Sequence, residues 1–185
     1  LVDELLTQAT ETVAPSRLSS VASARFSSVD KLTIAGEEPV RLCNYTDVYQ
    51  HDYITADMEF MHATATPDEI TQFRLQVGDV IITKDSESPD DIGIPCVIDS
   101  TAPDLLCGYH LALIRPNQDR VDPTYLALQL AHHRLAAYFG QQAVGSTRYG
   151  LSVACIANAP ILLPPIEEQR EAGKLIRLHD AQIRQ

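Results

Sequence analysis

A pair of prolines constrains this chain more than any other feature. In Leu162-Leu163-Pro164-Pro165-Ile166-Glu167-Glu168-Gln169-Arg170, an apolar strand-like run that starts at Pro160 meets two prolines and then a helical sequence. Proline neither donates to a β-ladder nor sits inside a helix, but it suits the first helical turn. Glu167 and Glu168 then fall where carboxylates complement the positive end of the helix dipole. Beyond them Ala172, Leu175, Ile176, His179 and Ile183 recur at three- and four-residue spacing among Arg170, Lys174, Arg177 and Arg184. That is one narrow apolar stripe on an otherwise polar helix. A folded body therefore ends at the prolines, and a helix leaves it. From Ile166 to Gln185 such a helix spans about 30 Å at ~1.5 Å per residue. Its stripe needs a cover, and Leu175, Ile176, His179 and Ile183 are the predicted interface with a partner helix. The cover is another chain, the chain's own domain, or an N-terminal helix over residues 1–14, where Val2, Leu5, Leu6, Ala9 and Val13 form a matching stripe that Pro15 closes.

The chain's 185 residues fit one domain with a helical arm, and a 45% hydrophobic content supports a core. No apolar run is long enough to cross a membrane, and no basic-then-apolar leader is visible. Cys43, Cys96, Cys107 and Cys155 lack any short Cys-x-x-Cys spacing. This argues against a zinc site and fits reduced thiols packed into a cytoplasmic protein. The net charge of −11 disfavours general nucleic-acid binding, but the charge is uneven. Acids dominate from Asp57 to Asp104, where only Arg74 and Lys84 oppose them. From Arg115 to Ala159 the balance reverses, with Arg115, Arg120, Arg134 and Arg148 against Asp119 and Asp122. A local phosphate-binding face is compatible with that second stretch.

Along the chain, Val40 to Asn44 reads as a short strand, and the tyrosine-rich run from Tyr45 to Tyr53 reads as a half-exposed sheet edge or a binding surface. Thr66-Pro67-Asp68-Glu69 has the form of a helix start. Gly78-Asp79 turns into Val80-Ile81-Ile82-Thr83, apolar on both faces and so a central strand. Ile94 to Ile98 and Leu105 to Ile114 read as further strands. Asp122-Pro123 opens a helix predicted to run to about Gly140, carrying His132 and His133 about 100° apart, a poor arrangement for one metal. Gln141 to Leu151 is a polar loop bounded by glycines; it lacks the Lys-Ser/Thr of a P-loop.

Five segments taken in order carry a resemblance. They are Leu42 to Tyr49, Gly78 to Asp85, Gly108-Tyr109-His110-Leu111, Gly145 to Leu151, and Leu163-Pro164-Pro165-Ile166-Glu167-Glu168-Gln169. Together they resemble one half of a DNA-specificity (S) subunit of a type I restriction–modification system, over most of the chain from about Phe26. The resemblance implies an α/β (α+β) fold: a mixed β-sheet target-recognition domain over residues 15–164 with flanking helices. A spacer helix starts at 165–185 and packs in a helical bundle or coiled coil. It implies sequence-specific recognition of double-stranded DNA, with no catalytic residues and no metal or cofactor on this chain. S-adenosylmethionine is expected on the methyltransferase (M) partner, and a restriction (R) subunit completes the complex. Family subunits carry two recognition domains, whereas this chain has one, so it is expected to be either a fragment or a half-subunit that pairs with a second half-subunit or forms a homodimer.

Within that picture the two polar loops are the candidate DNA-binding elements. Lys84 and Ser86 follow the central strand; Gln141, Gln142, Ser146, Thr147, Arg148 and Tyr149 lie in the second loop, and Tyr109 and His110 start a strand. Base reading needs donors such as Arg or Lys for guanine and Gln or Asn for adenine. For Arg148 the competing role is a salt bridge to the acidic surface. Two other classes of function remain open here: an adaptor that binds protein through its acidic face, and an enzyme built on Cys107 or Cys155.

Overall fold

The computed structural model describes residues 13–183. In chain order it contains β1 (Ser16–Arg17), β2 (Ala22–Phe26), β3 (Glu38–Cys43), α1 (Tyr45–Gln50), β4 (Tyr53–Ile54), β5 (Met61–Ala65), α2 (Pro67–Phe73), β6 (Val80–Thr83) and β7 (Asp85–Ser86). These are followed by β8 (Pro95–Ile98), β9 (Leu105–Cys107), β10 (Leu111–Pro116), α3 (Pro123–Ala131), α4 (His133–Gln142), β11 (Tyr149–Gly150), α5 (Val153–Ala157), β12 (Pro160–Ile161) and α6 (Ile166–Ile183). The mixed α/β class follows the expectation. Local chemistry sets several starts. Thr66 and Glu69 bond reciprocally at the head of α2, Glu69 N–H to Thr66 Oγ1 at 3.3 Å and Thr66 N–H to Glu69 Oε2 at 3.1 Å. Asp122 caps α3 by accepting from the Tyr125 N–H at 2.9 Å.

The order β2-β10-β6-β8-β4 makes a five-stranded sheet with β6 at its centre, antiparallel except for the β4–β8 pair. Both faces are buried, and the two-residue period of a strand divides its side chains between two cores. Ile81, Cys96, Ile98, Leu111 and Leu113 face one core, closed by the three-stranded sheet β5-β3-β9 with α1 and α2. Val80, Ile82, Val97, Ala112 and Ile114 face the other, against Leu126, Leu130, Leu135, Phe139 and Ile156 of α3, α4 and α5. Burying each such large side chain stabilises the fold by roughly 1.5–3 kcal/mol. At Gly93, where φ is +80°, a Cβ would lie 2.6 Å from the Phe139 ring. Glycine there supplies both the turn and the room.

Three expectations need correction. Leu105 to Ile114 is not one strand: β9 joins the three-stranded sheet and β10 the five-stranded one. The chain breaks at Gly108, whose N–H bonds to the Cys43 carbonyl at 2.9 Å and where a Cβ would sit 2.8 Å from that oxygen. The helix expected from Asp122 to Gly140 also breaks. His132 is extended (φ −67°, ψ 142°), ends α3, and accepts the Arg134 N–H at 3.4 Å to cap α4. Tyr45 to Gln50 is helical rather than a sheet edge, started by Asp47, whose carboxylate takes the Asn44 N–H at 2.7 Å.

The helix after the prolines is present, and its motif has a structural purpose. Gln169 is buried and ties α6 to the body through three bonds. It accepts from Asp122 N–H at 3.0 Å and donates to the Arg120 and Pro164 carbonyls at 3.2 and 2.8 Å. Gly173 lets α6 lie close, because a Cβ there would meet Asp122 Oδ1 at 2.7 Å. Ala172 and Ile176 are buried on the domain, and Arg177 pins the next turn through Asp99 (2.5 Å), Thr124 (3.0 Å) and the Tyr53 ring. The predicted partner stripe is therefore divided. Ile176 belongs to the chain's own domain, whereas Leu175 and His179 are exposed, as is Leu178, which the stripe did not include. The side chain of Ile183 and residues 1–12 of the N-terminal helix expected over 1–14 lie outside the described residues, and Val13 and Ala14 are in no helix. Among the described residues no helix is long and apolar enough to cross a membrane.

Candidate nucleic-acid interface

Two loops far apart in sequence meet in one small ribbon. β7 pairs antiparallel with β11, Tyr149 opposite Ser86 and Gly150 opposite Asp85. Val144 and Gly150 exchange both backbone bonds at 3.0 Å, and the Leu151 N–H bonds to the Lys84 carbonyl at 2.8 Å. Residues 144–150 are thus a hairpin laid across the end of the central strand. Gly145, at φ +156°, is its tightest point, since a Cβ there would collide with the Arg148 carbonyl.

Asp85 sits at the centre. Its Oδ1 accepts from Arg148 at 2.6 Å, and its Oδ2 lies 3.1 Å from His110 Nδ1 and 3.2 Å from Lys84 Nζ. Burial raises the Asp85 carboxyl pKa, but the bonds from His110, Arg148 and Lys84 outweigh it and hold the group below its ordinary value. Lys84 is enclosed by aromatic faces, Tyr109 at 4.7 Å and Phe26 at 5.3 Å from its ammonium. Arg148 differs from both partners: its side chain is 58% exposed, against 14% for Lys84 and Asp85.

A cleft of about 340 Å³ opens beside this cluster, lined by Tyr45, Asp85, Ser86, Glu87, Asp91, His110 and Arg148. A second, of about 330 Å³, shares Tyr45 and His110 with it and runs past Tyr109 to Asn44, Thr46 and Lys31. Of the candidate residues, Arg148, His110 and Tyr109 meet at this surface, with Tyr149 half-buried behind them. Ser146 and Thr147 are exposed in the hairpin. Gln141 and Gln142 are exposed at the end of α4 and line neither cleft. Ser86 also lines the first cleft, but it is buried and its Oγ accepts the Ser88 N–H at 3.2 Å. The Lys84 side chain is 14% exposed and lines neither cleft, lying against Asp85 and the two rings. Asp85, Glu87 and Asp91 escaped the sequence-based choice of site, whereas Tyr45 belongs to the run read there as a sheet edge or a binding surface. Asp85 stands between two residues that were chosen, but a carboxylate reads as unfavourable near DNA until its cationic partners are placed.

The arginines of the basic stretch are mostly occupied with structure. Arg115 chelates Asp79, Arg120 donates to the Ser20 carbonyl at 2.7 Å and Arg134 to that of Pro160 at 3.3 Å. The cysteines are buried free thiols, and burial raises the pKa of each, Cys96 to about 12, which opposes thiolate chemistry. Among the described residues no group of three or more His, Cys, Asp or Glu is set to hold a metal.

The chain is thus a two-core α/β body followed by two prolines and a helix, with a polar ribbon at one end of its sheet. The family model described as type I restriction modification DNA specificity domain matches residues 27–185, and the chain belongs to that family. It is 29% identical over 112 residues to a protein described as the type I restriction enzyme MjaX specificity subunit of Methanocaldococcus jannaschii, covering 59% of this chain and 26% of that one. The fold is similar to that of the HsdS subunit from Thermoanaerobacter tengcongensis, with a TM-score of 0.62 and 19% identity over 98% of this chain and 44% of the other. A chain from a structure concerned with assembly and conformational transition of the type I R-M system matches with a TM-score of 0.67 and 18% identity, again over 98% and 44%. The chain therefore spans less than half the length of these relatives.

Proposed function

We propose that this chain recognises one short part of a two-part DNA sequence and positions a methyltransferase, and in the larger assembly a restriction subunit, upon it. The observation that carries this reading is the family match over residues 27–185. The geometry beside the ribbon supports it, because Arg148, His110 and Tyr109 line two adjoining clefts there. In this reading residues 15–164 are the recognition domain and residue 165 onward the start of a spacer. The chain performs no chemistry itself; S-adenosylmethionine binds to the methyltransferase, and the complex works in the cytoplasm. The exposed Leu175 and Leu178 are then available to a second helix, from another half-subunit or a second copy. With a net charge of −11, affinity for the phosphate backbone comes largely from the partners.

The test is selection from a random duplex library, with the chain alone and with its methyltransferase. The expected result is enrichment of a short fixed base group followed by an unspecified gap, much stronger in the complex. An acidic protein adaptor predicts no enrichment in either arm, and that outcome overturns the proposal.

A further inference from the structure

The cleft beside Arg148 has a donor–acceptor pattern that is wrong for a phosphate. A phosphate offers only negative oxygens, yet Asp85, Glu87 and Asp91 all line the same space. The edge of a base pair is different, because it presents donors and acceptors side by side. In the major groove a G·C pair offers guanine N7 and O6 as acceptors and the cytosine amino group as a donor. Arginine matches the first two bidentately, and a carboxylate accepts from the third.

Arg148 is held in a way that suits that task. A guanidinium has five N–H donors, and one of its nitrogens, Nη2, engages Asp85 at 2.6 Å and approaches His110 Nδ1 at 3.2 Å. With the side chain 58% exposed, the rest of the fork remains open to a ligand. Asp85 is itself fixed by Lys84, by His110 and by the pairing of β7 with β11. Such anchoring reduces the rotamer freedom that binding would otherwise remove. Glu87 is exposed on the same cleft, whereas Asp91 already accepts from the Tyr49 hydroxyl at 3.0 Å. With adenine under Arg148 the paired thymine sets its O4 acceptor against the carboxylate, and with thymine there the fork meets one acceptor, O4, instead of two, so either order fits less well than G·C.

The geometry points to a G·C base pair as what this cleft recognises, with Arg148 on the guanine edge, Glu87 on the cytosine amino group, and Asp85 as the positioning residue that aims Arg148. This rests on the DNA-recognition function proposed above and goes beyond it in naming the base pair and the residues.

The experiment uses the complex of the chain with its methyltransferase and the DNA site it selects. Each recognised guanine is replaced in turn by 7-deazaguanine, which removes N7 without touching the protein. One replacement is expected to weaken binding several-fold, and by less than the roughly 5- to 150-fold worth of the whole bidentate pair, because O6 remains. Arg148→Gln should then lose its preference for guanine at that position alone, and Asp85→Asn should weaken it there while leaving the other positions unchanged. Arg148→Lys, which keeps the charge but not the fork, should not restore it. A native site at which no 7-deazaguanine replacement has an effect overturns the inference while leaving DNA recognition intact. So does an Arg148→Gln variant that binds all sequences uniformly more weakly with a shallower salt dependence, since that marks a phosphate contact. A native complex with no sequence preference overturns both proposals.

Discussion

Two arginine–aspartate pairs show how the same chemistry serves two ends in this molecule. Arg115 meets Asp79 through Nε and Nη2, both at 2.8 Å, and also donates to the Arg74 carbonyl at 2.9 Å. Asp79 takes a further bond from the Gln76 N–H at 2.8 Å and its side chain is only 2% exposed. Three of that guanidinium's five N–H donors are spent on acceptors within the protein, and the pair locks the turn before the central strand. Arg148 meets Asp85 through one nitrogen, with most of its side chain in solvent. The first pair closes a structure, and the second leaves a hand extended. An arginine's role therefore cannot be judged from its having a carboxylate partner; it depends on how many donors the partner consumes.

The contrast can be broken most sharply at Arg115. Arg115→Leu leaves a buried carboxylate without its cation and should lower unfolding stability by about 3–5 kcal/mol in a urea titration. A change below ~1 kcal/mol would mean the pair is as dispensable as a surface bridge. Gln169 is the next test, because it is buried and fully bonded like Asp79. Gln169→Leu strands the Asp122 N–H and two carbonyls and should cost about 1–3 kcal/mol, with faster amide exchange in the first turns of α6. Arg148→Leu should change stability by less than ~1 kcal/mol, as expected for an exposed pair. The smallest effect is a titration. A carboxylate whose folded pKa is depressed adds stability above its unfolded value, near 3.9, and that stability is lost as pH falls through the folded value. Asp85 should thus titrate below about 3.9, and its NMR-detected midpoint should rise in Arg148→Leu. An unmoved midpoint would deny the coupling.

Much of the fold was legible because its signals are local. The prolines before α6, the Thr66 and Asp122 caps, and the doubly apolar Val80–Thr83 each follow from neighbouring residues, and each stands as expected. What was missed depends on distant partners. Gly108 breaks a strand-like run because the Cys43 carbonyl lies against it, and His132 divides a helix by turning its ring back to cap the next. Asn44-x-x-Asp47 was a readable helix start, obscured by the tyrosines that follow it. At the site, Arg148 and His110 were identified from residue type, but the organising residue was not. Asp85 gains its meaning only when β11 folds onto β7 and brings Arg148 from 63 positions away.

Amide hydrogen exchange of the methyltransferase-bound chain, with and without duplex DNA carrying its selected site, tests this account most directly. DNA should protect residues 84–88, 108–110 and 144–150 together, while residues 74–79 around the Arg115–Asp79 pair keep the same rates. Protection that spares the β7–β11 ribbon and appears instead around residues 74–79 would contradict it.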